Sequence, residues 1–370
     1  MLSSRGSSSI PPNETMSLTL TEGRWSGCEK RTEESSGGPK IANLKEQINS
    51  FYFVPLGSPV GKKLFRMERN LQNKDKGVAR MWPFKIFNKP TPPSSEYDEP
   101  WRSLDWNKDS QNILKKINDF KPRNKEINTL RILLYGPQGA GKSSFFNSVN
   151  NTLQGRITTR ALAQSTDTGE SFTLKCNTYK MKKGEAGFFY PFTFTDIAGI
   201  HNQSNSIMAN DIHRLLNGHI IDGYTFNPVS SITEDDPKYK RNPILKDRIH
   251  CLVAVLPAIT VSLMHEEVFA QMRAVREKAR DLGIPQAIIM TKVDEACPLV
   301  KENLEKIYKS KRIKQKMDDC SSRLGVPMSF IYPVKNYHEE HAINVKMDVL
   351  ILDALQNIVN FANDYVEAHT

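Results

Sequence analysis

Eight consecutive residues carry the strongest chemical signal in the chain: Gly136-Pro137-Gln138-Gly139-Ala140-Gly141-Lys142-Ser143. They follow the apolar run Leu130–Tyr135 and precede a stretch opening Ser144-Phe145-Phe146 that reads as a helix. Glycines at this spacing let backbone N–H groups close round a phosphate chain. The helix N-terminus behind them adds partial positive charge. Gly136, Gly139, Ala140, Gly141, Lys142, Ser143 and Ser144 are therefore expected to cradle phosphates. Lys142 can reach the β- and γ-phosphates, and the Ser143 hydroxyl can ligate Mg²⁺.

Two further motifs fit the same ligand. Asp196-Ile197-Ala198-Gly199 closes the apolar strand Phe192–Thr195. Asp196 is expected to hold Mg²⁺ through water, and the Gly199 N–H to meet the γ-phosphate. Thr291-Lys292-Val293-Asp294 follows the run Ala287–Met290. The Asp294 carboxylate can accept from guanine N1–H and the 2-amino group, and the Lys292 stem can lie along the base. Adenine offers no such pair of donors, so the preferred ligands are GTP and GDP. Thr291 stands where an asparagine amide commonly braces such a site. Lys335, in Val334-Lys335-Asn336, is the expected further base contact. A threonine that senses Mg²⁺ belongs between the first helix and the second strand. Of Thr166, Thr168 and Thr173, Thr168 is selected for its glycine-flanked loop.

One position departs from the pattern of fast hydrolysis. Ile200 follows Gly199, where a glutamine amide would orient the attacking water. An isoleucine side chain has no donor or acceptor. Gln138 is the nearest substitute along the chain. Slow turnover is expected unless a partner supplies the missing group. The alternative is a nucleotide-stabilised scaffold that does not hydrolyse its ligand.

The elements needed to position these residues are legible as alternating strands and helices. Strands are expected at 130–135, 171–180, 188–196, 250–256, 287–291 and 330–334. Helices are expected at 142–153, 263–282, 301–324 and along the apolar face Met347–Tyr365. A further helix over 100–122 should pack on them. The pattern implies an α/β domain, a doubly wound and mainly parallel sheet over residues 100–370.

Residues 1–99 read differently. Ser, Gly, Pro and Thr dominate the first sixty, which cannot bury enough surface to offset ordering entropy. Residues 1–128 hold 22 Lys and Arg against 15 Asp and Glu, whereas the remainder holds 29 against 26. The leader is thus expected to be disordered and basic. Its run at 61–89 interleaves cations with Phe65, Trp82, Phe84 and Phe87. That run is a solvated tail or, alternatively, a contact for anionic lipid or nucleic acid. Five scattered cysteines without metal-ligand spacing fit a reducing, cytoplasmic setting. No secretory signal, lipidation box or membrane-spanning run is read.

From about Pro100 onward the chain resembles the interferon-induced protein 44 family. Arg131–Gly136, Lys142–Val149, Leu245-Lys246-Asp247-Arg248-Ile249-His250-Cys251, Thr291–Asp294 and Val349–Leu355 carry the resemblance. Leu245–Cys251 is its most diagnostic part. The resemblance implies a P-loop GTPase type of fold and a cytoplasmic, interferon-induced GTP-binding protein of innate antiviral defence. Protein effectors and self-association are the partners it leaves open. Some relatives carry an additional N-terminal domain, which residues 1–99 do not resemble.

Overall fold

The computed structural model describes residues 94–106, 109–158, 175–184, 187–197, 199–200 and 209–369. The expected leader up to residue 93 lies outside them, as do Thr166, Thr168 and Thr173.

Six strands form one sheet: β1 (Leu130–Tyr135), β2 (Asn177–Lys182), β3 (Phe189–Asp196), β4 (Cys251–Pro257), β5 (Gln286–Thr291) and β6 (Ile331–Pro333). Their spatial order is β2-β3-β1-β4-β5-β6. Only β2 runs antiparallel to its neighbour. Every residue of β4 is buried, which requires cover on both faces of the sheet, as in doubly wound folds. Because β3 and β4 flank β1, the winding reverses at β1, and a crevice opens at the carboxyl ends of these strands.

The helices supply that cover. They are α1 (Asp109–Asp119), α2 (Lys142–Gln154), α3 (Ala209–Leu216), α4 (Glu266–Asp281), α5 (Val293–Ala296), α6 (Pro298–Glu302), α7 (Lys311–Leu324) and α8 (Val345–Ala368). α8 packs on β1, β4, α1 and α2, while α4 packs on α3 and α7. Asn344 caps α8, its side chain accepting from the Lys346 and Met347 N–H groups. Leu350, Ile351, Leu355 and Ile358 are buried along α8. Trimming Leu355 to alanine is expected to cost about 2–5 kcal/mol.

Two expected helices differ from their sequence pattern. The stretch 301–324 is broken, because Asn303 and Ser310 each turn a side-chain oxygen onto a following backbone N–H and restart the chain. In the stretch 100–122, helix forms only from Asp109. Before it, residues 94–106 form a non-helical strap with one isolated bridge, Glu96 to Ser310. The Tyr97 N–H donates to Lys309 O (2.8 Å) and the Lys311 N–H to Ser95 O (3.1 Å). Trp101 meets Tyr308 edge-on at 5.1 Å. The Arg102 guanidinium donates to Met328 O (2.6 Å) and Ile331 O (2.8 Å). Those long-range bonds hold the strap against the domain where apolar spacing alone favoured a helix. The boundary expected at residue 99 falls inside this strap.

The segment Leu245–Cys251 closes the foot of the sheet. His250 is fully buried. Its Nδ1 accepts from the Arg131 N–H (3.0 Å), which leaves Nε2–H to donate to Leu245 O (2.9 Å). Burial lowers the imidazole pKa to about 4, against the Leu245 hydrogen bond, so the ring is neutral at pH 7.

Candidate nucleotide-binding site

The phosphate end is built largely from backbone. β1 stops at Gly136, where a Cβ would lie 2.2 Å from Val255 O on β4. Only glycine fits so close an approach. The loop then turns into α2 through Gly141, and the Lys142 side chain folds back beneath it. Lys142 Nζ donates to Gly136 O (3.2 Å) and Pro137 O (3.3 Å). The ammonium is buried, and burial depresses its pKa, while the nearby Asp196 charge acts in the opposite sense. A desolvated cation inside a ring of backbone amides can bind a polyphosphate.

Asp196, at the end of β3, faces Ser143, whose hydroxyl donates to Asp196 Oδ2 (2.6 Å). Asp196 is buried, and its Oδ1 has no well-formed hydrogen bond among the described residues. Burial raises the Asp196 pKa, with Lys142 and Ser143 opposing. A desolvated carboxylate with an unused oxygen beside a serine hydroxyl fits Mg²⁺, which takes one or two protein oxygens plus phosphate and water.

Gly199 is drawn tightly against the phosphate loop. A Cβ on Gly199 would come within 2.7 Å of the Gln138 backbone. The Ile200 N–H donates to Gly136 O (3.0 Å), and Ile200 bridges Pro137 in parallel. The Ile200 side chain is buried in the apolar core.

The base end lies at the end of β5. Thr291 is buried, and its hydroxyl donates to Ala140 O (2.6 Å). Where an asparagine amide commonly stands, the threonine hydroxyl ties the end of β5 to the phosphate loop. Lys292 has φ 56°, the one positive φ outside glycine among the described residues. Left-handed backbone costs roughly 1–2 kcal/mol in an L-residue, and such outliers cluster where function demands them. The turn carries the chain into α5, whose first turn contains Asp294. Lys335 is brought to the same place, with Nζ 3.8 Å from Asp294 Oδ2 and 2.8 Å from Glu340 Oε1. Burial opposes ionisation of Glu340, but Lys335 and the His338 N–H outweigh it and lower its pKa to about 2.

Comparison with known proteins assigns the lineage. Residues 131–253 match the family described as 50S ribosome-binding GTPase. Human interferon-induced protein 44 is 34% identical over 257 residues, 70% of this chain and 57% of that protein. Human interferon-induced protein 44-like is 32% identical over 256 residues, covering 69% and 56% respectively. The chain belongs to the interferon-induced protein 44 family. It spans less than two thirds of the length of these relatives. Among solved structures, Toc33 from Arabidopsis thaliana, in complex with Mg²⁺ and GMPPNP, is 14% identical with a TM-score of 0.39. The match covers 70% of this chain and 92% of that one.

This member of the interferon-induced protein 44 family also carries site residues that motif reading missed. Asn336 Nδ2 donates to Gly141 O (3.2 Å), tying the loop after β6 to the start of α2. Next to it, the Tyr337 N–H donates to Ser148 Oγ on α2 (2.9 Å). The Tyr337 hydroxyl and the Thr152 hydroxyl both donate to Asp348 Oδ1, at 2.8 and 2.5 Å. A polar chain thus joins the phosphate-loop helix, the base loop and the first turn of α8. Asp348 is buried, and burial raises its pKa against those two donors. The one local signal for this chain is Asp348, an acidic residue among the apolar residues of α8. Gln138 lies in the phosphate loop beside Gly199.

Proposed function

We propose that this chain binds GTP and GDP with Mg²⁺ and hydrolyses GTP slowly, as a long-lived nucleotide-dependent switch in an interferon-induced response. The reading rests on one observation: the glycine-rich loop after β1 and Asp294 after β5 stand at the carboxyl ends of strands in one sheet, joined by the Thr291–Ala140 bond. Gly136, Gly139, Ala140, Gly141, Ser144 and the Gly199 N–H would hold phosphate oxygens, with Lys142 across the β- and γ-phosphates. Ser143 and Asp196 would hold Mg²⁺, which neutralises charge developing on the transferred phosphoryl group. Asp294 would read the guanine edge, with Lys292 and Lys335 beside the base. The interferon connection comes from the names of the relatives, and the antiviral role from the family resemblance. A cytoplasmic setting is the family resemblance's implication; the four cysteines among the described residues are free and buried, which is compatible with it. No helix among the described residues is long and apolar enough to cross a membrane.

Burial of Ile200 favours a second reading, a scaffold that binds nucleotide without turning it over. One sample separates the two. Nucleotide content after native purification reports occupancy, and single-turnover hydrolysis reports the rate. A switch without a water-positioning group is expected at about 10⁻⁴ to 10⁻³ s⁻¹. A partner-free rate above about 1 s⁻¹ would require a catalytic group not yet identified. No turnover over a day selects the scaffold.

A further inference from the structure

The base end contains a competitor for its own ligand. Guanine needs both oxygens of Asp294, one for N1–H and one for the 2-amino group. The Lys335 ammonium already stands 3.8 Å from Asp294 Oδ2, within the range of an ion pair but too far for a hydrogen bond. It is drawn the other way by Glu340, at 2.8 Å. Glu340 is itself fixed, because its other oxygen, Oε2, accepts from the His338 N–H (2.9 Å). Lys335 and Glu340 therefore close a small ring within one loop, and the ring opens toward Asp294. All three side chains keep between a fifth and a third of their surface exposed, so the ammonium has room to swing between the two carboxylates.

We propose that Glu340 is a specificity-determining positioning residue that parks the Lys335 ammonium and so keeps Asp294 open to the guanine edge. With Glu340 neutral, the nearest carboxylate for Lys335 is Asp294. An ammonium bonded to Oδ2 removes one of the two acceptors on which guanine recognition depends. Glu340 acts only through Lys335 and touches no ligand atom. The inference rests on the guanine-binding reading above, and it adds the residue that holds the base site in its receptive form.

Glu340→Gln isolates the charge, since the glutamine carbonyl can still accept from the His338 N–H. The test is calorimetric titration of the full chain with GDP and ADP, for wild type, Glu340→Gln, Lys335→Met and the double variant. Wild type prefers GDP. Glu340→Gln weakens GDP binding by about fivefold, the scale of a partly exposed ion pair. In the Lys335→Met background the same change has no effect. The fivefold deficit also shrinks toward unity as salt rises to about 0.5 M, because a Lys335–Asp294 pair is screened. Glu340→Gln binding as tightly as wild type, or losing equally with and without Lys335, overturns this inference and leaves guanine recognition standing. A salt-independent deficit does so too, since it marks a structural role. Equal affinity of wild type for GDP and ADP overturns the guanine reading itself, and this inference with it.

Discussion

The two ends of the nucleotide site are held by different kinds of interaction. At the phosphate end, backbone does the holding: Gly136 against Val255, the Ile200 N–H on Gly136, Lys142 turned onto two carbonyls. The ionisable groups there, Lys142 and Asp196, are buried. At the base end, half-exposed side chains hold one another: Asp294, Lys335 and Glu340. Backbone geometry tolerates almost no substitution and little adjustment by solvent. Side-chain ion pairs can be retuned by one residue or by salt. On the reading proposed above, the phosphate end would decide whether nucleotide binds, and the base end which base is preferred.

The largest expected effect lies at the phosphate end. Lys142→Ala removes a buried cation that serves the ligand rather than the core. Affinity for a non-hydrolysable GTP analogue should fall by about 10³-fold, as two or so charge-assisted hydrogen bonds are lost. Titration calorimetry reads it, with the melting temperature as control. Undiminished affinity would remove the loop from the site altogether.

Mild acid separates the ends from the foot of the sheet. Glu340, at about 2, keeps its charge through this range. His250 does not match its unfolded value: about 4 when folded, near 6.5 when unfolded. The unfolded chain therefore binds the extra proton first. Stability is fully present above pH 6.5 and falls as the pH drops toward 4, by about 3 kcal/mol in total. Urea unfolding at pH 7 and pH 4.5 measures this. An equal slope in His250→Gln would assign the acid loss to other groups.

Next in size is Asp294→Asn, which reverses the hydrogen-bond demand at the base end. GTP should weaken by about 10²-fold while xanthosine triphosphate gains, because its 2-oxo group accepts from the new amide. Competition between the two nucleotides is the measurement. An unchanged guanine preference would move the base site elsewhere.

Ile200→Gln tests whether the turn at the phosphate end can be re-equipped. A glutamine there would speed hydrolysis if the turn could aim its amide at the attacking water. Ile200 is buried among apolar side chains, so the amide is expected to enter the core unpaired. A loss of about 1–3 kcal/mol of stability without faster turnover is expected. Faster hydrolysis at unchanged melting temperature would show that the turn can rotate outward.

The smallest effect belongs to the strap. Starting the chain at Asp98 rather than Ser94 deletes the Tyr97–Lys309 and Ser95–Lys311 backbone bonds and the Glu96–Lys306 ion pair. A fall of about 2–4 °C in melting temperature is expected. Arg102, which holds both sides of the turn into β6, remains, so guanine affinity should change little. A large affinity loss would extend the base end into the strap.

How much of this was legible in the sequence follows the same division. The phosphate loop, Asp196–Gly199 and Thr291–Asp294 are contiguous, and each follows an apolar strand, so local pattern singles them out. Strand positions held to within a few residues for β1, β3, β4 and β5. What escaped depends on distance along the chain. Asn336 reaches Gly141 across 195 positions, and Asp348 meets Thr152 across 196. No local spacing encodes such contacts. The strap was misread as helix because Leu104 and the residues after it share helical spacing. The bonds that forbid a helix are made to residues more than two hundred positions away.

The Ile200–Gly136 clasp sets how loudly this protein can announce what it has bound. A turn that waits for the terminal phosphate before folding moves far when that phosphate departs, and a listener can gauge the distance. Here the turn is already pinned by a bond between two main-chain groups, neither of which belongs to a ligand. On the reading proposed above, this bond forms without any terminal phosphate, so a partner that tells triphosphate from diphosphate would sense the phosphate itself, its metal, or residues other than Ile200.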